Sequence, residues 1–482
     1  MSTHVPCVEK IFANEDLQAF ASLSGDRNPI HMDVLAARRV MEGSRVVHGI
    51  LLLLFGLEQW TTGKGKFPFQ RIKCDFKRPV LMGERAVYDF TEKEDGSVRI
   101  MVLVEDVICA EIDLLHETFA QGHNWESGVH EIDSRYTHLT HPLEWADEDL
   151  PKFTATLSEI SSPQWNLLFP RLCKALDPAR VSALSQLSYI VGMACPGLYS
   201  LFASLDVTLN QSEAPVGWIS AKSEEFDQRF NLLTLALNGD LFGTLKAYRR
   251  PKPFQQSSMD EVKEFVLAGE FVKCNALIIG GSRGLGEMTA KILCAGGGTV
   301  HLGYAHGKVE AGRIASEIKV SDLGFCDPIK FDIFDMDPVQ RKALLKEINS
   351  IYYFPTPPIF KKQAKLFHER YFDEFVGFYV KRFFDLVEGV EAEAPKKVVV
   401  FFPSTSAIDI RPRGMTVYAM AKAAAEILIQ DVNRSYKKVE VIVSRLPKLG
   451  SDQTNTFLGS QKIDNGAVLL PIIRKIRDRV LI

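Results

Sequence analysis

Apolar and polar positions follow three different rhythms along this chain. Between residues 73 and 117 the runs KCDFKRPV, ERAVYDFTE, VRIMVLVED and VICAEIDLLHE place branched and aromatic residues at every second position. That is the period of half-buried strands in an antiparallel sheet. Ahead of them lie a short helical pattern, the turn SGDRNPIH and an apolar run from Ile50 to Leu57. The run is too short to span a bilayer and reads as a buried helix beginning near His48. After a polar, poorly patterned stretch from 119 to 165 the series returns. VGMACPGLYSLFASLDV parallels VVHGILLLLFGLEQW, setting Pro196-Gly197 against His48-Gly49, and GWISAKSEEFD, FNLLTLAL and LFGTLKAYRR follow as strands. This reads as an internal repeat. From 271 onward ALIIGG, TVHLGYA, IKFDIFD, SIYYFP, KVVVFFPS and VEVIVSRL alternate with helical patterns, which predicts a doubly wound parallel sheet.

Pro251, Pro253 and the run from Gln255 to Ser258 punctuate the change of rhythm. Three domains are expected, over 1–125, 126–255 and 268–482, in keeping with a length of 482 residues. Charged residues make up 24% and the formal net charge is -3, which gives no electrostatic case for a nucleic-acid partner. The eight cysteines are scattered without a CxxC pair, so neither a disulfide framework nor a metal site is expected. A reducing, cytoplasmic setting fits. No signal peptide is read at the start, because Met1 to Asn14 carries charge and lacks a sustained apolar core.

The first candidate chemistry lies in the turn. Asp26, Asn28 and His31 surround Gly25 and Pro29, so a carboxylate and an imidazole can reach one water molecule, as hydration of a double bond requires. Negative charge arising as water adds would need a donor. The N–H of Gly49, at the start of the central helix, is the natural one, since a helix N-terminus offers free amides. Asn28 fixes the turn or orients the water, and which of Asp26 and His31 is acid and which is base stays open. As an isolated turn, Asp-x-Asn-Pro is also good loop chemistry with no function.

The run Phe20, Leu23, Ser24, Gly25, Asp26, Asn28, Pro29, Ile30, His31 and Ala37 resembles the signature of the MaoC-like, R-specific enoyl-CoA hydratases and fills every position of it. The resemblance implies a hot-dog fold, a long helix wrapped by a sheet, with an acyl thioester as substrate. The repeat then gives an α+β double hot-dog with one working half. The second half, lacking the turn, would shape the acyl pocket.

The second candidate site opens with ALIIGGSRGLG, a strand running into Gly280, Gly284 and Gly286 and then a helix, with Ser282, Arg283 and Leu285 among the glycines. Such glycines let the backbone approach a pyrophosphate at a helix N-terminus. Downstream, Lys422 lies one helical turn beyond Tyr418, placed to lower the phenol's pKa. Together these resemble the short-chain dehydrogenase/reductase family, with its Rossmann fold, over the last 210 residues or so. The resemblance implies Tyr418 as proton donor, Lys422 as its partner, a Ser at the end of the preceding strand, and Asp332 at the position that contacts adenine. Ser404 is the first choice for that Ser and Ser406 the second. No acid closes the strand HLGYAHGK, and Arg283 with His306 or Lys308 suits a 2′-phosphate, so NADPH is expected rather than NAD. The family's Asn-Asn-Ala-Gly is replaced by Tyr352-Tyr353-Phe354-Pro355, its helical Asn by Tyr379, and its last strand is short or missing.

A reductase and a hydratase share the 3-hydroxyacyl thioester. The chain therefore reads as a bifunctional enzyme that reduces a 3-oxoacyl thioester, on CoA or a carrier protein, and dehydrates the product, or runs the reverse. It is expected to lack a membrane span and to form a homodimer or larger homo-oligomer. The alternatives are a glycan or polyketide tailoring enzyme with one active site, and a hydratase carrying a non-catalytic NADP-binding scaffold.

Overall fold

The computed structural model describes residues 3–41, 43–117, 132–158, 164–210, 216–361, 365–455 and 463–481. Two compact units divide between Lys252 and Pro253.

The first unit is a double hot-dog built on one antiparallel sheet of ten strands. In chain order these are β1 (Thr3–Ile11), β2 (Arg71–Phe76), β3 (Arg85–Glu92), β4 (Val98–Val104), β5 (Val107–Leu115), β6 (Thr154–Ser158), β7 (Ser200–Leu209), β8 (Trp218–Asp227), β9 (Leu232–Gly239) and β10 (Leu241–Arg249). In space they run β1-β3-β4-β5-β2-β7-β10-β9-β8-β6. The second five mirror the first five, and the halves join where β2 pairs antiparallel with β7. In β4 the residues Val98, Ile100, Val102 and Val104 are buried while their neighbours are half-exposed, the alternation that one covered face requires. The helix Gly49–Trp60 is apolar almost all round and is correspondingly buried. Its counterpart is the helix Pro178–Tyr189, and side chains of both helices belong to one continuous core.

The observed repeat corrects the expected one. Residues 191–207 do not form a second central helix: Ile190–Ala194 is a π-helical turn ending the helix Pro178–Tyr189, and the chain then enters β7. Helix and following strand shift by the same interval, Gly49 to Pro178 and Arg71 to Ser200, so His48-Gly49 corresponds to Asp177-Pro178 rather than to Pro196-Gly197. Two edge strands, β1 and β6, are additional to the sequence expectation, and the stretch 119–165 that contains β6 lies partly outside the described residues.

The second unit is a Rossmann fold. Its strands are β11 (Asn275–Ile279), β12 (Thr299–Tyr304), β13 (Phe325–Lys330), β14 (Ser350–Tyr353), β15 (Val398–Thr405) and β16 (Val439–Leu446). They pair in parallel in the order β13-β12-β11-β14-β15-β16. That is the 3-2-1-4-5-6 arrangement of dinucleotide-binding sheets. Two separate cores cover the two faces: Leu277, Ile279, Tyr353 and Phe402 on one, Ala276, Ile278, Tyr352 and Phe401 on the other. The expected strand IKFDIFD is displaced. β13 stops at Lys330, and Asp332 and Asp335 form an isolated bridge in the turn that follows. Pro328 inside β13 is tolerated because the strand is at the sheet's edge. Among the described residues no strand follows β16; the chain continues into the helix Asn465–Val480, and no helix is long and apolar enough to cross a membrane.

Candidate functional site

In the first unit the helix Asn14–Ser24 ends at Gly25, whose φ of 77° lets the chain reverse immediately. Asp26 follows, 1% exposed. Its Oδ1 accepts the N–H of Asn28 at 3.1 Å and its Oδ2 accepts the hydroxyl of Ser188 at 2.6 Å. Asn28 caps the short helix Pro29–Met32, accepting the Ile30 N–H, while its amide donates to the carbonyls of Gly192 at 2.7 Å and Gly197 at 3.0 Å. His31 lies within that short helix, with Nδ1 2.7 Å from the carbonyl of Val46. A carbonyl only accepts, so Nδ1 carries the proton and Nε2 keeps a lone pair. One ring nitrogen of His31, one of His48 and a carboxylate oxygen of Asp26 lie within 4.8 Å of one another. A water bridges such a gap. The two imidazoles are stacked, with ring centroids 3.8 Å apart and planes at 25°.

Burial raises the Asp26 pKa against the opposing pull of His31, Ser188 and Asn28. Burial likewise lowers His31 against the pull of Asp26. The pair is thus set toward a carboxylic acid and a neutral imidazole. Gly49 opens the central helix, where its N–H has no intrahelical acceptor, and a Cβ there would come within 3.0 Å of the Phe76 ring.

Sequence reasoning missed Ser188, Gly192 and Gly197, all contributed by the second half. A Cβ on Gly192 would fall 2.4 Å from Asp26 Oδ1. The second half itself cannot host the same chemistry. Aligning Pro29 with Pro170, the first residues of the two short helices, places Leu167, Phe169 and Leu172 where the first half has Asp26, Asn28 and His31. Pro178 replaces Gly49 and has no N–H to offer. The buried carboxylate of Glu58 reaches over from the first central helix to accept the N–H of Leu172 at 2.7 Å and the Arg171 Nε at 2.8 Å.

In the second unit the loop from β11 to the helix Gly284–Ala295 carries Gly280 and Gly284 at positive φ. A Cβ on Gly286 would fall 2.5 Å from the Gly280 carbonyl, which fixes the close approach of helix to strand. Ser282 is buried, and its hydroxyl would lie 2.6 Å from a Cβ on Gly307, so the loop after β12 packs directly on the glycine loop. Leu285 packs on the adjoining core. Arg283 pairs with Asp452 at 3.2 Å. Asp332 accepts the N–H of Phe334 at 3.0 Å.

Tyr418 and Lys422 are both buried. Their hydrogen-bond partners differ from the expected ones. Ser404 turns away and donates to Glu426. The hydroxyl that pulls the Tyr418 phenol's pKa down is that of Thr405, the next residue on β15. Burial raises the phenol's pKa and only the Thr405 bond opposes it, while the Lys422 ammonium is directed at the Pro403 carbonyl, 2.6 Å away. Lys422 also lies 3.8 Å over the Tyr379 ring and 4.5 Å from that of Phe402, and burial brings its pKa down to about 7. Tyr379 bonds Thr356 Oγ1 at 2.5 Å. Ser406 lies past the strand, its N–H bonded to the Leu446 carbonyl.

The MaoC like domain model matches residues 5–109. The (R)-specific enoyl-CoA hydratase of Aeromonas caviae is 33% identical over 118 residues, covering 24% of this chain and 80% of that protein. The mitochondrial 3-hydroxyacyl-[acyl-carrier-protein] dehydratase of Arabidopsis thaliana is 42% identical over 43 residues; the match covers 9% of this chain and 26% of that relative's length. Similar solved structures include FolM alternative dihydrofolate reductase 1 from Brucella canis complexed with NADP, at 14% identity and a TM-score of 0.37, covering 44% of this chain and 91% of that one. A bulky-bulky ketone specific alcohol dehydrogenase from Comamonas testosteroni has 21% identity and a TM-score of 0.35, covering 42% and 84%.

Proposed function

The chain belongs to the MaoC-like family of (R)-specific enoyl-CoA hydratases, and on that premise we propose a bifunctional enzyme of acyl thioesters. The first site interconverts enoyl and 3-hydroxyacyl thioesters, and the second reduces the 3-oxoacyl thioester. The observation that carries the reading is the Asp26–His31 pair: the His31 Nδ1 proton is committed to the Val46 carbonyl, and a ring nitrogen of His31 lies within 4.8 Å of an Asp26 carboxyl oxygen, a gap that the reacting water would fill.

In hydration, His31 Nε2 takes a proton from that water as its oxygen bonds to the β-carbon. The electron pair of the double bond moves toward the thioester oxygen, where the Gly49 N–H meets the developing charge. Asp26, raised toward its protonated form, returns a proton to the α-carbon. Dehydration is the same path reversed.

For the second site the residues fit a nicotinamide dinucleotide: Gly280 and Gly284 turn the chain at positive φ, and Gly286, where a Cβ would meet the Gly280 carbonyl, lets the N-terminus of a twelve-residue helix pack close against that loop. Bound there, the dinucleotide supplies the hydride. Tyr418 gives its proton to the carbonyl oxygen, Thr405 steadies that oxygen, and Lys422 holds the nicotinamide ribose. NADPH is the proposed form, because Tyr304, Ala305 and His306 close β12 without an acid, while Arg283 and Lys308 bring positive charge. The carrier is CoA or a carrier protein.

The test is a paired assay of the full chain: crotonyl-CoA hydration, and NADPH oxidation with acetoacetyl-CoA. Asp26→Asn is expected to abolish the first and spare the second, and Tyr418→Phe to do the reverse. A folded wild-type protein that does neither refutes the proposal. A second reading, a hydratase whose reductase-like unit binds NADPH without turnover, is favoured by the Lys422 ammonium being held at Pro403 within an aromatic cage rather than at the phenol. NADPH binding without oxidation by any thioester supports that reading.

A further inference from the structure

Beside Asp26 and His31 stands a buried histidine that the chemistry above leaves without a role. His48 is fully buried at the residue before Gly49, the position that caps the central helix, yet its side chain makes no capping bond. A capping side chain there would stabilise the helix. In the second half the corresponding Asp177 does cap, accepting the Ala179 N–H at 2.8 Å. The His48 ring turns instead to the hydration site. Its Nε2 meets the backbone carbonyl of Asp26 at 3.1 Å, so that nitrogen carries the proton, and its Nδ1 is buried without a partner. One face lies 3.8 Å from the His31 ring, and Phe20 packs against it at 4.9 Å.

An apolar residue would fill this buried space without an orphaned nitrogen. We propose that His48 is a positioning residue of the hydration site: its ring, anchored to the Asp26 carbonyl, is the platform on which His31 stacks, so that Nε2 of His31 faces the Asp26 carboxyl group across one water. Three features of the catalytic pair are thereby tied to one side chain, namely the Asp26 backbone, the His31 ring plane and the start of the helix that presents Gly49. Burial, then the neighbouring His31, hold the His48 pKa well below its ordinary value, so the platform stays neutral and does not compete for the proton. The proposal rests on the hydratase reading.

Two variants of the full chain separate the contributions. His48→Phe keeps the platform and loses the bond to Asp26; His48→Gln keeps an N–H donor and loses the platform. In each, kcat for crotonyl-CoA hydration is expected to fall about tenfold or more while KM stays within about twofold, as misplacement of a bound reacting pair dictates. Asp26 and the Val46 carbonyl raise the His31 pKa, Arg250 lowers it, and burial, which also lowers it, outweighs the first two. Opening the stack in His48→Gln admits water, so the acid limb of the pH profile moves up toward the ordinary 6.5. A lower melting temperature with kcat intact in both variants is what mere packing produces, and overturns the proposal. Nitrogen-15 NMR of the wild-type histidines tests it without any variant: protons on His48 Nε2 and His31 Nδ1 are expected, and a proton on His48 Nδ1 overturns it. Wild-type protein that hydrates no enoyl thioester overturns the underlying hydratase reading, whereas an active wild type with undiminished variants overturns this proposal alone.

Discussion

Gly192→Ala is the most direct challenge to the proposed hydration site, because it touches the Asp26 carboxyl group from the opposite half of the unit. A Cβ at that position falls 2.4 Å from Asp26 Oδ1 and 2.6 Å from both Cγ and Oδ2. Non-bonded heavy atoms sit comfortably at about 3.5 Å, so something must move by about 1 Å. The carboxyl group has little freedom, with one oxygen on Ser188 at 2.6 Å and the other on the Asn28 N–H at 3.1 Å. The π-helical turn is no freer, since the Gly192 carbonyl holds the Asn28 amide at 2.7 Å. Whichever yields, Asp26 and the water lose their alignment, and a displacement of that size lowers kcat by about a hundredfold. Overpacking also lowers stability by about 1–3 kcal/mol. The assay is initial-rate hydration of crotonyl-CoA, followed by loss of the enoyl absorbance, beside a chemical denaturation curve. Gly65→Ala, where a Cβ meets nothing within 4 Å, is the neutral control. A Gly192→Ala protein with wild-type kcat would refute the argument, because the site geometry leaves no room for it.

Thr405→Val is expected to cost the reductase about a hundredfold in kcat, while Ser404→Ala stays near wild type; the opposite ranking returns the role to Ser404. Lys422, with a pKa of about 7 in the folded protein against 10.5 unfolded, binds fewer protons folded than unfolded between those values. The second unit, without cofactor, should therefore gain up to about 1.4 kcal/mol per pH unit from this group as pH rises above 7. Comparing urea unfolding of wild type and Lys422→Met at pH 7 and 8 isolates that gain, and identical slopes exclude it. Burial keeps His31 neutral below the ordinary 6.5, so the acid limb of kcat/KM for hydration should lie below 6.5; a limb above that value contradicts His31 as the base.

What the sequence reveals divides along physical lines. The Asp26–His31 turn is legible because its parts are local: a left-handed glycine, an Asn cap and a Pro at the first helical position lie within a few residues. The glycine loop before the helix Gly284–Ala295 is legible for the same reason. Ser188, Gly192 and Gly197 are not, since small residues in an apolar stretch carry no mark of the Asp26 and Asn28 side chains they will meet. The Ser404–Thr405 choice turns on which side chain of a strand faces the phenol, and two adjacent hydroxyl residues look alike until strand parity is known. The misplaced second helix has a plainer cause. Both VGMACPGLYSLFASLDV and VVHGILLLLFGLEQW are apolar runs without a clear period, and such runs do not separate a buried helix from a turn followed by a strand. β6, five residues with two threonines and a serine, offers too short a pattern to stand out.

The β2–β7 seam joins two halves that are mirror images in strand order and yet different in sequence. In a pair of identical subunits every residue facing the partner's site would occur twice, so any change serving one site would be imposed on the other. Here the two central helices lie on one chain and answer to separate demands. The helix ending at Tyr189 and its π turn can stay small and polar where they touch Asp26. The helix Gly49–Trp60 can send Glu58 across to occupy the other half's turn. Covalent linkage has in this sense released the two halves from symmetry, so a substitution on either helix has one consequence rather than two.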